Sequence, residues 1–214
     1  MTASLQVADG PGGPAGGAGT PMDPERRAAI ITACTVGGVG CAAVAVPVVS
    51  SWLPSEREKA AGGPVEVDLS AVAAGQMKVV EWRGKPIWIL HRTPEMVATL
   101  KTHDASLADP QSKRTGYPTP PYALKDSSTR SIKPEYFVAI GICTHLGCSP
   151  SGPFGAGENP QLGDQPGFVC PCHGSTFDLA GRVFKNKPAG DNLEVPPYRY
   201  VSDTMLVVGE DTAG

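Results

Sequence analysis

The sequence predicts a mostly β protein, with a single N-terminal transmembrane helix ahead of an antiparallel, β-sandwich-like head. A run of 28 residues without a charge lies between Arg27 and Glu56. From residue 65 onward, short apolar or alternating segments are separated by turn residues, which is typical of strands. Glycine and proline supply 26 and 22 of the 214 residues, a content that excludes a long coiled coil.

The net charge restricts the partners that the chain can bind, and the N-terminal composition indicates a segment that does not fold. The net charge of −3 argues against a nucleic-acid partner, which would require a strong positive excess. Residues 1–25 contain ten glycines and prolines and few apolar side chains. Such a segment buries too little surface to offset its ordering entropy, so a disordered tail is predicted there.

The uncharged run predicts a membrane anchor at residues 26–53. As a helix, residues 28–49 would extend about 33 Å, enough to cross a hydrocarbon core of about 30 Å. A buried core helix and a cleaved secretory signal are the alternatives, but a signal's apolar region is normally only about 7–15 residues long. Arg26 and Arg27 at its amino-terminal edge favour a cytoplasmic tail and resemble a twin-arginine export signal.

Beyond the anchor, residues 54–64 are polar and then small, which predicts a flexible hinge before a head at residues 65–214. Thr93 and Pro94 predict the cap and first position of a short helix. Residues 103–134 are rich in proline and are predicted to be an insertion outside the core. Strands are predicted at 65–69, 77–82, 85–90 and 136–142, and at 198–201 with 205–208 as a closing hairpin.

Two short segments hold the residues suited to metal chemistry. The first cysteine loop is Cys143-Thr-His145-Leu-Gly-Cys148, and the second cysteine loop is Cys170-Pro-Cys172-His173-Gly-Ser175. Two thiolates and two imidazoles can bind zinc tetrahedrally or hold a two-iron cluster. The remaining pair, Cys148 and Cys172, can bridge the loops as a disulfide. A disulfide requires an oxidising compartment, which agrees with a head outside the cytoplasm.

These residues resemble the Rieske motif pair, Cys-x-His-x-x-Cys with Cys-x-Cys-His-x-x-Ser. The whole chain is similar to the iron–sulfur subunit of a bacterial ubiquinol–cytochrome c reductase, the cytochrome bc1 complex. The similarity covers the anchor, the hinge, residues 65–92 and nearly all of residues 136–208. It implies one [2Fe-2S] Rieske cluster per chain, held in a small cluster-binding subdomain by loops 143–148 and 170–175.

The resemblance also assigns roles to individual residues. Cys143 and Cys170 would ligate one iron and His145 and His173 the other, while Cys148 and Cys172 would form the disulfide. Ser175 would donate a hydrogen bond to a cluster sulfur, and Leu146 would be a docking contact facing the quinol pocket. His91 and His103 are interpreted as ordinary surface or core histidines.

The ligand set accounts for the chemistry that the resemblance implies. Two ferric ions, two sulfides and two thiolates leave the cluster neutral, so it accepts an electron at a higher potential than a four-cysteine cluster. A ligating imidazole keeps a second nitrogen that can exchange a proton. His145 and His173 would therefore contact quinol and couple electron transfer to proton transfer.

The implied activity is that of a proton-translocating quinol–cytochrome c oxidoreductase. One electron from ubiquinol would enter the cluster and the second would pass to a b-type haem; movement of the head would then deliver the first to cytochrome c1. The implied partners are cytochrome b, cytochrome c1, ubiquinol and the lipid bilayer, in a dimeric complex. The chain would cross the bacterial inner membrane once, with a cytoplasmic N-terminus and a periplasmic head.

Other functions remain open at this stage. A Rieske subunit of another quinol- or arsenite-oxidising enzyme is the nearest alternative, and a zinc-binding interaction module is a remote one. A soluble oxygenase ferredoxin would have neither the anchor nor the bridging cysteines. Two positions depart from the family pattern: Gly190 stands where proline is common, and Phe177 where many relatives have tyrosine. The missing hydroxyl at residue 177 is expected to lower the midpoint potential.

Overall fold

The computed structural model describes residues 23–53, 55 and 62–210. Most of the predicted tail and most of the predicted hinge lie outside the described residues. The chain divides into two compact units, Met1–Pro54 and Ser55–Gly214, which are described separately below.

In its described part, residues 23–53, the first unit forms one helix, α1 (Pro24–Ser50). Its start is fixed by the Asp23 side chain, which accepts a hydrogen bond of 3.1 Å from the Glu25 amide, with Pro24 at the first position. The helix has 27 residues, which corresponds to about 40 Å, and none of them is buried. Within the described ranges it is the one helix that is long and apolar enough to cross a membrane.

The second unit is built from three antiparallel sheets of three strands each. The strands of the described residues are β1 (Val65–Asp68), β2 (Met77–Trp82), β3 (Lys85–His91), β4 (Tyr136–Ile140), β5 (Ser151–Phe154), β6 (Gly167–Val169), β7 (Thr176–Phe177), β8 (Tyr198–Tyr200) and β9 (Met205–Val208). Their orders in the three sheets are β1-β9-β8, β2-β3-β4 and β5-β6-β7. This arrangement confirms the prediction of a mostly β, antiparallel head.

Local signals correctly predicted a hairpin and a short helix. β2 and β3 are joined by Arg83 and Gly84, whose φ angles of 51° and 71° are those of a two-residue turn matched to the strand twist. Helix α2 (Pro94–Thr99) begins at Thr93, whose hydroxyl accepts a hydrogen bond of 3.3 Å from the Met96 amide. The closing hairpin of β8 and β9 is also confirmed.

The core of the head is continuous across the sheets. β3 is the central strand of its sheet, and its residues 87–90 are all buried rather than alternating. The Trp88 ring packs against Phe168 of β6 with centroids 4.9 Å apart. This contact joins the sheet containing β3 to the smaller sheet that carries the cysteine loops.

The prediction that residues 103–134 lie outside the core is wrong. Leu107 and Ala123 are buried in this stretch, and Arg130 has no exposed surface. The Arg130 guanidinium donates hydrogen bonds to the carbonyl oxygens of Ala180 and Leu193, which lie far away in the sequence. Burial lowers the pKa of Arg130 to about 10, which keeps the group charged at neutral pH. Carbonyl oxygens thus stabilise an arginine where an apolar side chain would be expected.

Candidate metal centre

The two cysteine loops are placed by the strands that flank them. The first cysteine loop follows β4 and precedes β5, and the second cysteine loop joins β6 to β7. Since β5, β6 and β7 form one antiparallel sheet, the two loops are anchored to the same small sheet.

The loops share one backbone hydrogen-bond pattern. The Cys143 amide donates to the carbonyl oxygen of Cys148 at 2.7 Å, and the Cys170 amide donates to that of Ser175 at the same distance. Each bond joins the first residue of its loop, a cysteine, to the last residue of the same loop. The pattern therefore holds Cys143 and Cys170 at equivalent positions in the two loops.

A glycine at the fifth position makes each turn possible. The amides of Gly147 and Gly174 donate at 3.0 Å to the carbonyl oxygens of the cysteines that begin their loops. Their φ angles of 83° and 72° lie in the left-handed region, which costs glycine little. A side chain at either position would strain the turn that presents the neighbouring residues.

The thiols of Cys143 and Cys170 are free, buried and adjacent. Both residues are 1% exposed. Burial raises the pKa of the Cys143 thiol, and the neighbouring Cys170 raises it further, while hydrogen bonds from the His145 backbone and the Ser175 side chain oppose the rise. Two neighbouring thiols held away from water are suited to ligating a metal as a pair.

The two loop histidines are also neighbours. The rings of His145 and His173 lie with centroids 4.8 Å apart and planes at 88°. His145 is partly buried, and its Nδ1 atom is inaccessible to solvent and has no hydrogen-bond partner among the described residues. A buried nitrogen without a partner is costly unless another group binds it, so this atom fits a metal ligand. His173 is exposed.

The other two loop cysteines form the disulfide that the resemblance implied. Cys148 and Cys172 are bonded, with their Cα atoms 6.6 Å apart. The sulfur atoms of Cys148, Cys170 and Cys172 lie within 4.8 Å of one another, a spacing compatible with a metal site. However, the bonded pair has no free thiolate, so only Cys170 of these three is available as a ligand.

The four remaining donors fit a [2Fe-2S] cluster of the Rieske type. Such a cluster requires two thiolates for one iron and two imidazoles for the other. The structure supplies two buried free thiols and two adjacent imidazoles in the same pair of loops. Among these four residues, the Nδ1 atom of His145 gives the strongest indication of a metal, because it is buried and has no hydrogen-bond partner among the described residues.

Two further residues of the predicted site are placed beside these donors. Ser175 is fully buried, and its hydroxyl accepts a hydrogen bond of 2.9 Å from the Ala189 amide. Leu146 is 71% exposed and directly follows His145. An exposed leucine at the tip of the first cysteine loop is suited to contacting an apolar surface.

The structure also identifies a residue that no sequence pattern indicated. Thr144 lies between two predicted ligands, and its hydroxyl donates a hydrogen bond of 2.6 Å to the carbonyl oxygen of Asp191. Residues 188–191 are called the cover segment below. Thr144 connects the first cysteine loop to this segment, and the hydrogen bond from the Ala189 amide to Ser175 connects the segment to the second cysteine loop.

The remaining histidines have other partners, in agreement with their interpretation as ordinary residues. His91 forms a hydrogen bond of 2.7 Å with the carbonyl oxygen of Val72, and its ring stacks on Tyr136. His103 is buried, and its Nε2 atom lies 3.2 Å from the carboxylate of Asp178.

Comparison with known proteins identifies the family of the chain. Residues 65–198 match the Rieske [2Fe-2S] domain family. The chain is 50% identical over 194 residues to the ubiquinol–cytochrome c reductase iron–sulfur subunit of Allochromatium vinosum, with 87% of this chain and 89% of that protein covered. The corresponding subunit of Bradyrhizobium diazoefficiens is 42% identical, with 87% and 95% covered.

Among solved structures, a chain of a hyperthermophilic respiratory complex III is similar to this one. The two are 25% identical with a TM-score of 0.43, and the similarity covers 84% of this chain and 98% of the other.

Proposed function

The chain belongs to the Rieske [2Fe-2S] family, among the iron–sulfur subunits of ubiquinol–cytochrome c reductase, and we propose that it performs the electron transfer of that enzyme. It is the subunit that accepts one electron and a proton from ubiquinol and passes the electron to cytochrome c1. The observation that carries this proposal is the pairing of two buried free thiols with two adjacent imidazoles, one of which has an unpartnered buried Nδ1 atom.

In this function Cys143 and Cys170 hold one iron, and His145 and His173 hold the other. The disulfide between Cys148 and Cys172 clamps the two cysteine loops together at the same end of the head. Because each loop is closed on its first cysteine by its own backbone, the loops present their ligands without depending on the quinol.

When bound, the [2Fe-2S] cluster supplies a one-electron acceptor at a potential that quinols can reach. The histidines supply the proton acceptor, because a ring ligating through Nδ1 keeps Nε2 to hold or release a proton. His173 is exposed and Leu146 stands beside His145, so a quinol in a partner's pocket can approach this end of the head from solvent.

The proposal includes the surroundings in which the subunit works. Helix α1 anchors the chain in the lipid bilayer of the bacterial inner membrane, with a cytoplasmic N-terminus and a periplasmic head. The disulfide supports this orientation, since such bonds persist outside the reducing cytoplasm. Cytochrome b and cytochrome c1 are the protein partners, within a dimeric complex. Movement about residues 54–64, the proposed hinge, carries the head between them.

One experiment tests the proposal directly. Membranes containing the full chain are reduced and examined by EPR, and the complex is purified through a tag on this chain. We expect a Rieske-type signal and co-purification of a b-type and a c-type cytochrome. A Rieske-type signal together with co-purification of a molybdenum-containing subunit, or of other partners, would instead assign the chain to a different oxidoreductase. Bound zinc in the absence of a Rieske-type signal would refute the electron-transfer function.

A further inference from the structure

We propose that Arg114 is a positioning residue that holds the cover segment in place and thereby keeps the Ser175 hydroxyl oriented toward a sulfur of the proposed cluster. The inference rests on the proposed ligand set, and it adds a restraint that lies outside both cysteine loops.

The cover segment is bonded to both cysteine loops. The Ala189 amide donates to the Ser175 hydroxyl at 2.9 Å, and the Thr144 hydroxyl donates to the carbonyl oxygen of Asp191 at 2.6 Å. Ala189 is 3% exposed, so its hydrogen bond is shielded from water. The position of residues 189–191 therefore determines what Ser175 and Thr144 can bond.

Between these two attachments lies Gly190, the residue with the greatest backbone freedom. It is exposed, and a Cβ atom added to it would meet nothing within 4 Å, so no side-chain packing restrains it. Its φ lies outside the left-handed region, so the backbone does not require glycine there. The restraint on Gly190 comes from its carbonyl oxygen, which accepts a hydrogen bond from the guanidinium of Arg114.

The backbone of Arg114 is held in a hydrogen-bonded turn. The carboxylate of Asp109 accepts hydrogen bonds from the amides of Lys113 and Arg114, at 3.0 and 2.9 Å. The Asp109 carbonyl oxygen in turn accepts a bond of 2.9 Å from the buried side chain of Asn192, which directly follows the cover segment. Two hydrogen bonds therefore connect the turn to this part of the chain. Arg114 donates one to the carbonyl oxygen of Gly190, and Asp109 accepts the other from Asn192.

The consequence for the metal centre follows from the hydrogen bonds of Ser175. The Ser175 hydroxyl oxygen accepts the Ala189 N–H, which leaves the hydroxyl proton free to donate to a cluster sulfur. Without the Ala189 bond the hydroxyl is free to rotate. Removal of the Arg114 bond frees Gly190, which loosens Ala189 and lets the hydroxyl turn away from the sulfur.

The test uses the full chain in its membrane complex and compares Arg114→Ala with two further variants. Lys113→Ala is the matched control, because it removes a neighbouring exposed positive charge and leaves the backbone bond to Asp109 intact. Arg114→Lys retains a donor of similar reach. The readouts are the rate at which the Rieske EPR signal decays with a chelator, the midpoint potential, and amide hydrogen exchange at Ala189.

We expect Arg114→Ala to accelerate signal decay and Ala189 exchange about fivefold, the factor that corresponds to a hydrogen bond worth about 1 kcal/mol. Its midpoint potential should fall, while Lys113→Ala matches the wild type and Arg114→Lys lies close to it. Adding Gly190→Ala to Arg114→Ala should restore part of the loss, because a Cβ narrows the backbone freedom of that residue.

Equal values for Arg114→Ala and Lys113→Ala in all three measurements would overturn the inference. Exchange at Ala189 can also be measured on the detergent-solubilised chain if a variant does not assemble with its partners. A wild-type membrane without any Rieske signal would refute the proposed function instead, and the exchange measurement would still decide the role of Arg114.

Discussion

Asp178 and Arg182 form an ion pair of 2.7 Å in which neither side chain has any exposed surface. Asp178 directly follows β7, so the pair lies at the base of the hairpin that carries the second cysteine loop. The same carboxylate accepts hydrogen bonds from the amides of Ala180 and Arg182 and lies beside His103. Arg92 and Arg130 are also fully buried, so Asp178 balances more positive charge than its direct partner carries.

Replacing Asp178 with asparagine should destabilise the head by about 3–5 kcal/mol, because Arg182 loses its buried counter-charge and keeps only the exposed carboxylate of Asp104. Thermal or urea unfolding of the purified complex, followed by the Rieske signal, measures the loss. Asp203→Asn is the control, since Asp203 is fully exposed and its loss from the ion pair with the partly buried Lys133 should have little effect on stability. Equal stability of the two variants would contradict this account.

The same ion pair predicts how stability depends on pH. Burial favours the neutral form of Asp178, but the His103 hydrogen bond and the Arg182 charge outweigh it and hold the pKa below its ordinary value. A lowered folded-state pKa contributes stability above the unfolded pKa of about 3.9, and this contribution is lost as pH falls through the folded value. Stability of the wild type should therefore fall more steeply below about pH 4 than that of Asp178→Asn.

Removal of a ligand should abolish the cluster. In His173→Ala one iron would lose its imidazole ligand. We therefore expect EPR of reduced membranes to show no Rieske signal. His91→Gln is a suitable comparison, because His91 bonds to Val72 and stacks on Tyr136 outside the two loops. The native signal at full intensity in His173→Ala would refute the ligand assignment.

The disulfide should act as a clamp and not as a ligand pair. Its partners are 24 residues apart, and a closed loop of that length contributes roughly 3–4 kcal/mol in the chain-entropy model. We expect Cys148→Ser to assemble a cluster in low yield that is lost quickly on warming, as measured by signal decay. Cys34→Ser, which removes an exposed free thiol from α1, should behave as wild type. Indistinguishable decay rates would show that the clamp is dispensable.

A hydroxyl at residue 177 should raise the midpoint potential. Phe177 is fully buried in β7, directly opposite Phe168, two residues beyond Ser175. If a tyrosine there donates to a ligand sulfur, a bond that strengthens by roughly 1 kcal/mol on reduction raises the potential by about 40 mV. Redox titration of Phe177→Tyr checks this, with Phe168→Tyr as the control across the strand pair. An unchanged midpoint would show that the hydroxyl does not reach sulfur.

Where local signals were strong, the sequence was sufficient to predict the structure. The turn at Arg83 and Gly84 needs only two adjacent residues with positive φ, and the apolar segments on either side of it were sufficient to predict the strands. The two cysteine loops were found for a similar reason, since their donors are concentrated in six residues each.

Features that depend on distant contacts were not predicted. β5, β6 and β7 have only two to four residues each, too few to show a period, and they exist because they pair with one another. Arg130 lies in the stretch predicted to be outside the core, and its burial could not be predicted because its carbonyl acceptors are 50 and 63 residues away in the chain. Thr144 and Arg114 gave no signal for the same reason, since each acts through a carbonyl oxygen that any residue could supply.

The register of the first sheet has a consequence for the order in which the head is made. β1 lies at the edge of its sheet and pairs only with β9, Val65 opposite Val208. A ribosome that has synthesised the first 200 residues has therefore produced β1 without the strand that stabilises it. The head can close only after β9 has been synthesised, and if it closes before it crosses a membrane, it needs an export route that accepts folded cargo. The arginine pair in the first turn of α1, Arg26 and Arg27, resembles the signal for that route.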